Sequence, residues 1–279
     1  MTPRKIAGKL IRFLSLKGVH SVVRSSPDLE RMWGLSIAHF PSFREHFANP
    51  VDDPEAEARI RFLVAAECAF VEHDLSSVLA ANGNCSYADI GDSDGSVRVV
   101  MEELLGKQQL QTVGINLQPG VVKRMQERGL DAICEDAIDV GHRGTRYDVV
   151  SLFETLEHLP DPIGFLQEIS SVVEHRLILS VPYIRSSRLG LLYLEDDWPS
   201  EQAATIENVH IFELSPRDWR KVFRHAGWRV EREAVFKQFP GSGPMKWLLS
   251  WYWRRTSFEG FYFASLVRDT LKASRYRIE

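Results

Sequence analysis

The chain has 279 residues, 44% hydrophobic and 26% charged, with a formal net charge of −4. This balance excludes wholesale disorder and argues against a protein that coats nucleic acid. Its three cysteines, Cys68, Cys85 and Cys134, are scattered without a CxxC pair, which excludes a disulfide framework and fits a reducing cytoplasm, and no run of about 18 apolar residues predicts a spanning helix.

Residues 1–27 carry Arg4, Lys5, Lys9, Arg12, Lys17 and Arg24 and no acid. Ile6, Leu10, Ile11, Phe13 and Leu14 recur at helical spacing, and the interleaved cations break the apolar stretch that a signal peptide needs. The segment predicts a helix that either packs on the body of the protein or rests on anionic lipid or another acidic surface, as a peripheral membrane contact. Pro27, Pro41, Pro50 and Pro54 mark residues 25–54 as loop, so 1–54 reads as a basic helix and loop region preceding a main domain over 55–279. Residues 55–80 read as helix, with the stripe Ile60, Leu63, Phe70, Val71, Leu75 and Val78, stopped by Asn82-Gly83-Asn84.

From Cys85 the pattern alternates short apolar runs with amphipathic segments. Strands are predicted at Tyr87–Ile90, Thr112–Ile115 (closed by Asn116), Ala132–Cys134, Tyr147–Leu152 and Leu177–Val181, the last stopped by Pro182. Helices are predicted at Val97–Leu105, Val121–Arg128, from Asp161-Pro162 to about Val173, and from Ser215-Pro216 through His225. Trp228–Phe236 and Phe261–Val267 read as two final strands, the latter at the sheet edge. The alternation predicts an α/β fold, a mostly parallel sheet with helices on both faces, which binds ligands at the carboxyl ends of its strands.

The loop after the first strand reads Asp89-Ile90-Gly91-Asp92-Ser93-Asp94-Gly95. Gly91 and Gly95 permit a sharp turn and close approach of a ligand. No Gly-Lys-Ser/Thr follows, so it is not a phosphate loop. Serines at 93 and 96 break the dinucleotide pattern, which speaks against a nicotinamide-dependent oxidoreductase. Two aspartates would repel a pyrophosphate and suit a cationic ligand.

With this loop, Val113–Gly120, Glu135–Ala137, Tyr147–Pro162 and His210–Val230 follow in an order and spacing that resemble the class I S-adenosylmethionine-dependent methyltransferases, over roughly residues 85–236. Phe153-Glu154-Thr155-Leu156-Glu157-His158-Leu159-Pro160-Asp161-Pro162 is similar to the ubiquinone-biosynthesis type of O-methyltransferase and its bacterial relatives. The resemblance implies a Rossmann-like methyltransferase fold with a seven-stranded sheet, and S-adenosyl-L-methionine as cofactor. It implies that Asp89 and Gly91 sit beside the methionine part and that Asn116 faces the ribose hydroxyls, with Ser93, Gly95 and Leu117 also binding the cofactor. Asp136 and Ala137 would border the adenine, and Phe153 would lie near the cofactor. The chain departs from the family at Ser93, usually glycine, and at Asn116, usually an acid. An amide accepts less from two ribose hydroxyls than a carboxylate does, a loss of roughly 1–2 kcal/mol. These departures motivate a rival reading, an inactive methyltransferase fold that binds a ligand or partner.

A hydroxyl acceptor benefits from a base because its pKa is high. Glu154, Glu157 and His158 stand at i, i+3 and i+4 and would share one face of a helix, with His158 as base. Together with the later His210-Ile211-Phe212-Glu213, the set is similar to metal-assisted methyltransferases, including the small-RNA 2′-O-methyltransferases. That adds a divalent metal and an RNA acceptor as alternatives, the acidic net charge counting against nucleic acid. The expected function is O-methylation of a small molecule or glycan. The irregular segment 183–208 is expected to cover the acceptor pocket. The aromatics between Trp247 and Phe263, interleaved with Arg254 and Arg255, are expected as core and pocket wall, with base stacking or a lipid interface as alternatives.

Overall fold

The computed structural model describes residues 3–43, 54–189, 210–256 and 258–269. Three helices come first: α1 (Pro3–Arg24), α2 (Pro27–His39) and α3 (Pro54–Asn82). The alternating region follows as β1 (Cys85–Ile90), α4 (Ser96–Leu105), β2 (Leu110–Asn116), α5 (Pro119–Glu127), β3 (Ala132–Cys134), α6 (Ala137–His142), β4 (Tyr147–Phe153), a 3-10 turn (Leu156–His158), α7 (Pro162–Glu168), a second 3-10 turn (Ile169–Ser171) and β5 (Val173–Tyr183). The chain continues as β6 (Arg188–Leu189), β7 (Phe212–Glu213), α8 (Pro216–His225), β8 (Trp228–Lys237), α9 (Pro244–Thr256) and β9 (Gly260–Arg268).

Seven of these nine described helices open on proline. Proline suits the first turn, where its missing N–H has no intrahelical partner anyway. This corrects the reading of 25–54 as loop: Pro27 starts α2, and the Ser26 side chain accepts from Leu29 N to cap it. Helices α6 and α9 and the small antiparallel β6–β7 pair were not foreseen either.

The seven-stranded sheet has the order β3-β2-β1-β4-β5-β9-β8; β1 to β5 run parallel, and β9 is antiparallel to both β5 and β8. Two further expectations are corrected here. β9 lies inside the sheet and β8 is the edge. Strand β9 alternates between two cores: Phe261 and Phe263 join the cluster under α1 to α4, while Tyr262, Ala264 and Leu266 join the opposite cluster under α6 to α8. A strand buried on both faces belongs in the interior, whereas β8 alternates half-buried with exposed residues. Pro182 does not stop β5, because pairing with β4 ends at Ser180 and a missing N–H beyond that point breaks no bond on that flank. No described helix is long and apolar enough to cross a membrane.

Strand β1 sits between β2 and β4, so the chain winds outward on one side of it and then returns on the other. The crevice at such a reversal, outside the carboxyl ends of the strands, is where open α/β sheets bind ligands.

Candidate active site

Two loops meet at that crevice. The first leaves β1. Asp89 is buried and accepts a hydrogen bond from Ser151 Oγ (2.6 Å), which lies 2.7 Å from the Tyr87 hydroxyl. Burial and then neighbouring Asp92 push the Asp89 carboxyl well above its usual range. Gly91 has φ +83°, and a Cβ there would stand 2.5 Å from Thr155 Oγ1, so glycine is required both for the turn and for contact with the second loop. Asp92 organises the turn: Oδ1 accepts from Asp94 N (3.1 Å) and Gly95 N (2.6 Å), and Oδ2 accepts from Arg98 Nε (2.7 Å). The Arg98 side chain is 1% exposed; burial opposes its charge, but Asp92 holds its pKa above the usual value. Gly114 on β2 makes room for this pair, since a Cβ there would lie 2.6 Å from Asp92 Oδ2. Asp94 Oδ1 accepts from Ser96 N (2.9 Å), while Oδ2 is buried without a partner among the described residues. Burial, then Asp92, pushes Asp94 up to about 6. Ser93 is exposed at the tip, and Gly95 takes the left-handed conformation that leads into α4.

The remaining cofactor candidates surround this loop unevenly. Asn116 Nδ2 donates to Asp92 O (2.9 Å) and its Oδ1 accepts from Gln118 N (2.8 Å), so the amide ties the end of β2 to the turn. Leu117 is 68% exposed. Asp136 caps α6 by accepting from Ile138 N (2.9 Å), with Ala137 buried behind it. Phe153 ends β4 with its ring packed on Phe263 (6.3 Å between centroids). Glu67 of α3 escaped the sequence reading. It is buried, and burial, then Asp89 and Glu154, push its carboxyl well above the usual range. The signal was present: a glutamate in the middle of the apolar run Phe62–Phe70 is rarely placed there without a role.

The second loop leaves β4. Glu154 has φ +45°, outside any helix; its N–H donates to Ser180 O (3.1 Å), and Ser180 Oγ donates to its Oε1 (2.9 Å). Burial pushes it up to about 8. The expected helical face for Glu154, Glu157 and His158 is therefore absent. A three-residue 3-10 turn over Leu156–His158 replaces it, and Glu154 turns toward β5. Glu157 is 0% exposed, and neither carboxylate oxygen has a hydrogen-bond partner among the described residues. Burial, then Glu154, raises its pKa well above the usual range. His158 Nε2 lies 3.8 Å from Glu157 Oε1, and the His158 and His210 rings meet edge-on at 4.9 Å. His210 arrives from far along the chain because Ile211 N donates to Glu157 O (2.8 Å). Its Nδ1 donates to Glu213 Oε1 (3.2 Å), which directs Nε2, the acceptor in the neutral ring, elsewhere. Burial would raise Glu213, but its bonds from His210 and Arg188 hold it below the usual range. One ligand atom each from Glu157, His158 and His210 lies within 4.8 Å of the others, so three of the four catalytic candidates converge. Of the segment expected to cover the acceptor, residues 190–208 lie outside the described residues.

Residues 72–233 match the family model described as a methyltransferase domain. Among solved structures the chain is similar to the [4+2]-cyclase SpnF, at 15% identity and TM-score 0.51, with 86% of this chain and 93% of that one covered. It is also similar to magnesium protoporphyrin IX methyltransferase of Synechocystis PCC 6803 with bound SAM (16% identity, TM-score 0.46, 81% and 88% covered). A third is the O-methyltransferase of a trans-AT PKS multienzyme of Brevibacillus brevis in complex with S-adenosyl-L-homocysteine (12% identity, TM-score 0.48, 75% and 77% covered). No curated protein sequence matches.

Proposed function

The chain belongs to the methyltransferase-domain family and is an S-adenosylmethionine-dependent methyltransferase, and from that premise we propose that it methylates an oxygen atom of a small molecule or glycan. The residues present suit the cofactor. Buried acids Glu67, Asp89, Asp94 and Glu154 gather at the site with raised pKa values, which a bound sulfonium or ammonium would draw back down so that they ionise beside it, and Asp94 Oδ2 lacks an internal donor. In this reading Asp89, Gly91, Ser93 and Gly95 hold the methionine part, Asn116 and Leu117 the ribose, and Asp136 and Ala137 the adenine, with Phe153 backing the pocket. When bound, the cofactor supplies the methyl group as electrophile.

The observation that carries an oxygen acceptor is the Glu157–His158–His210 cluster beside Thr155, which touches the cofactor loop. A thioether or an amine needs no strong base at this point, but a hydroxyl does. His158 takes the hydroxyl proton at its imidazole, and the imidazolium draws down the raised pKa of Glu157, 3.8 Å away, so that the carboxylate can offset the charge. His210, oriented by Glu213, helps to position the acceptor. The likeness of Phe153–Pro162 to the ubiquinone-biosynthesis type supports the same acceptor element. The test is a screen with methyl-labelled S-adenosylmethionine against hydroxylated small molecules, glycans, amines and RNA. Label on oxygen in a small molecule or glycan supports the reading. Label confined to nitrogen, carbon or RNA, or no cofactor binding by calorimetry, overturns it.

A second reading adds a divalent cation, because the three converging ligand atoms include a carboxylate whose oxygens have no internal donor. Such an ion would bind the acceptor oxygen and lower its pKa. Calorimetric titration of the full chain with Mg2+, Mn2+ and Zn2+ tests it: stoichiometric binding abolished by His210→Ala supports the ion, and its absence leaves the base alone.

A further inference from the structure

Beyond methyl transfer, we propose that α1 and α9 together form a docking face for an anionic lipid bilayer. The two helices pack directly. Leu249 and Trp253 of α9 form a small core with Phe239, joined by Leu14 of α1, and a Cβ on Gly18 would stand 2.9 Å from Leu249 Cδ1. With one side of each helix used in this way, the other should be polar. Instead, Leu10 (55% exposed), Phe13 (51%), Trp247 (76%), Leu248 (42%) and Trp251 (53%) face outward. They are half of the large hydrophobic side chains exposed among the described residues, on two of nine described helices. On α1, Leu10 and Leu14 are one turn apart, so the exposed stripe borders the seam with α9. On α9, Trp247 and Trp251 are likewise one turn apart, on the side away from Leu249.

Charge selects the occupant. Residues 1–27 hold six basic residues and no acid, and residues 237–258 hold Lys237, Lys246, Arg254 and Arg255 and no acid, in a chain whose net charge is −4. The cations sit among the aromatics: Lys17 Nζ lies 4.5 Å from the Phe13 ring centre and Arg255 Cζ 4.5 Å from that of Trp251. Tryptophan, phenylalanine and leucine interleaved with lysine and arginine match the boundary between acyl chains and anionic headgroups. There the rings enter the apolar layer while the cations remain at the phosphates. A purely protein partner would call for the apolar stripe but not for two acid-free segments meeting at one seam.

The experiment is co-sedimentation of the full chain with phosphatidylcholine vesicles, with and without phosphatidylglycerol. Binding that requires phosphatidylglycerol, weakens with salt and shifts tryptophan emission to the blue is the expected result. W247S/W251S should cut partitioning by about tenfold or more, with far-UV circular dichroism and S-adenosylmethionine affinity unchanged. If that variant fails to fold, K246E/R255E, half-buried and exposed respectively on the same helix, should remove the dependence on phosphatidylglycerol. Absence of binding to anionic vesicles, or equal binding by folded variants, overturns the proposal. So does a concentration-dependent dimer in lipid-free solution that W247S/W251S dissolves, which would make the face a contact between copies. None of these readouts depends on the methyl acceptor.

Discussion

The loop after β1 and the loop after β4 touch at Gly91 and Thr155, yet they use their polar groups in opposite ways. In the first, Asp92 alone accepts from Asp94 N, Gly95 N and Arg98, and Asn116 closes the turn from β2. That loop is organised before any ligand arrives, which lowers the ordering cost of binding. In the second, Glu157 is fully buried with both oxygens lacking a described partner, and two imidazoles face it. A buried polar group without a partner costs stability and calls for an explanation. The difference fits the proposed roles, in which the first loop holds the cofactor and the second serves the acceptor. In the holding loop, Asp94 Oδ2 is likewise buried without a partner among the described residues.

The largest effect should come from the reacting loop. His158→Ala is expected to cut turnover by about 10²–10⁴-fold while cofactor affinity barely changes, because a base acts on the acceptor and not on the sulfonium. Steady-state kinetics beside calorimetry check this; a parallel loss of affinity would merge the two loops into one binding device. With an ion present, a chelator should reproduce the variant, and adding His210→Ala to His158→Ala should cost little more.

The holding loop should break through stability instead. Arg98→Met leaves Asp92 buried without its cation, at a cost of about 3–5 kcal/mol in denaturant unfolding. Adding Asp92→Asn should recover part of that loss, and full additivity would mean that the pair is not coupled.

Asp94 sharpens the contrast by pH. Its folded pKa of about 6 stands above the ordinary 3.8, so protonation stabilises the fold at low pH and that contribution is lost as pH rises through about 6. Asp94→Asn should therefore stabilise the cofactor-free protein by about 1–3 kcal/mol at pH 7. The advantage should close progressively toward pH 4. Cofactor affinity should fall severalfold, since a negative group near the cation is gone. Thermal unfolding across that pH range checks the first part and calorimetry the second.

The smallest effect is expected at Asn116. Asn116→Asp loses the donor to Asp92 O, about 1 kcal/mol of stability, and gains a carboxylate toward the ribose, which should tighten cofactor binding severalfold. Tighter binding without the stability loss would mean that the amide is not the tie between β2 and the turn.

Much of this protein was legible before its coordinates. Periodicity located β1 to β5, α3 to α5 and α8, because an amphipathic helix and a strand buried on both faces each write their environment into local sequence. The glycine turn and the acids after β1 were legible for the same reason: their chemistry lies within seven consecutive residues. The helical face imagined for Glu154, Glu157 and His158 was not, because the φ of +45° at Glu154 and its bonds to Ser180 come from a neighbouring strand. Nor could local pattern choose the sheet edge, since β8 and β9 differ in what covers them and not in their capacity to pair. Sequence by itself determined the parallel α/β frame and the glycine turn with its acids after β1, short-range properties of the chain, whereas the reversal of strand order at β1 came from the sheet. Only the tertiary structure decided that Glu67 joins the acids of the β1 loop, that Arg98 holds Asp92 from beneath, and that His210, some fifty residues on, stands against His158. The Glu67 and His210 pairings depend on distances between segments far apart in the chain, and the Arg98–Asp92 pair, six residues apart, needs the room that Gly114 leaves on β2; packing sets these and local propensity does not.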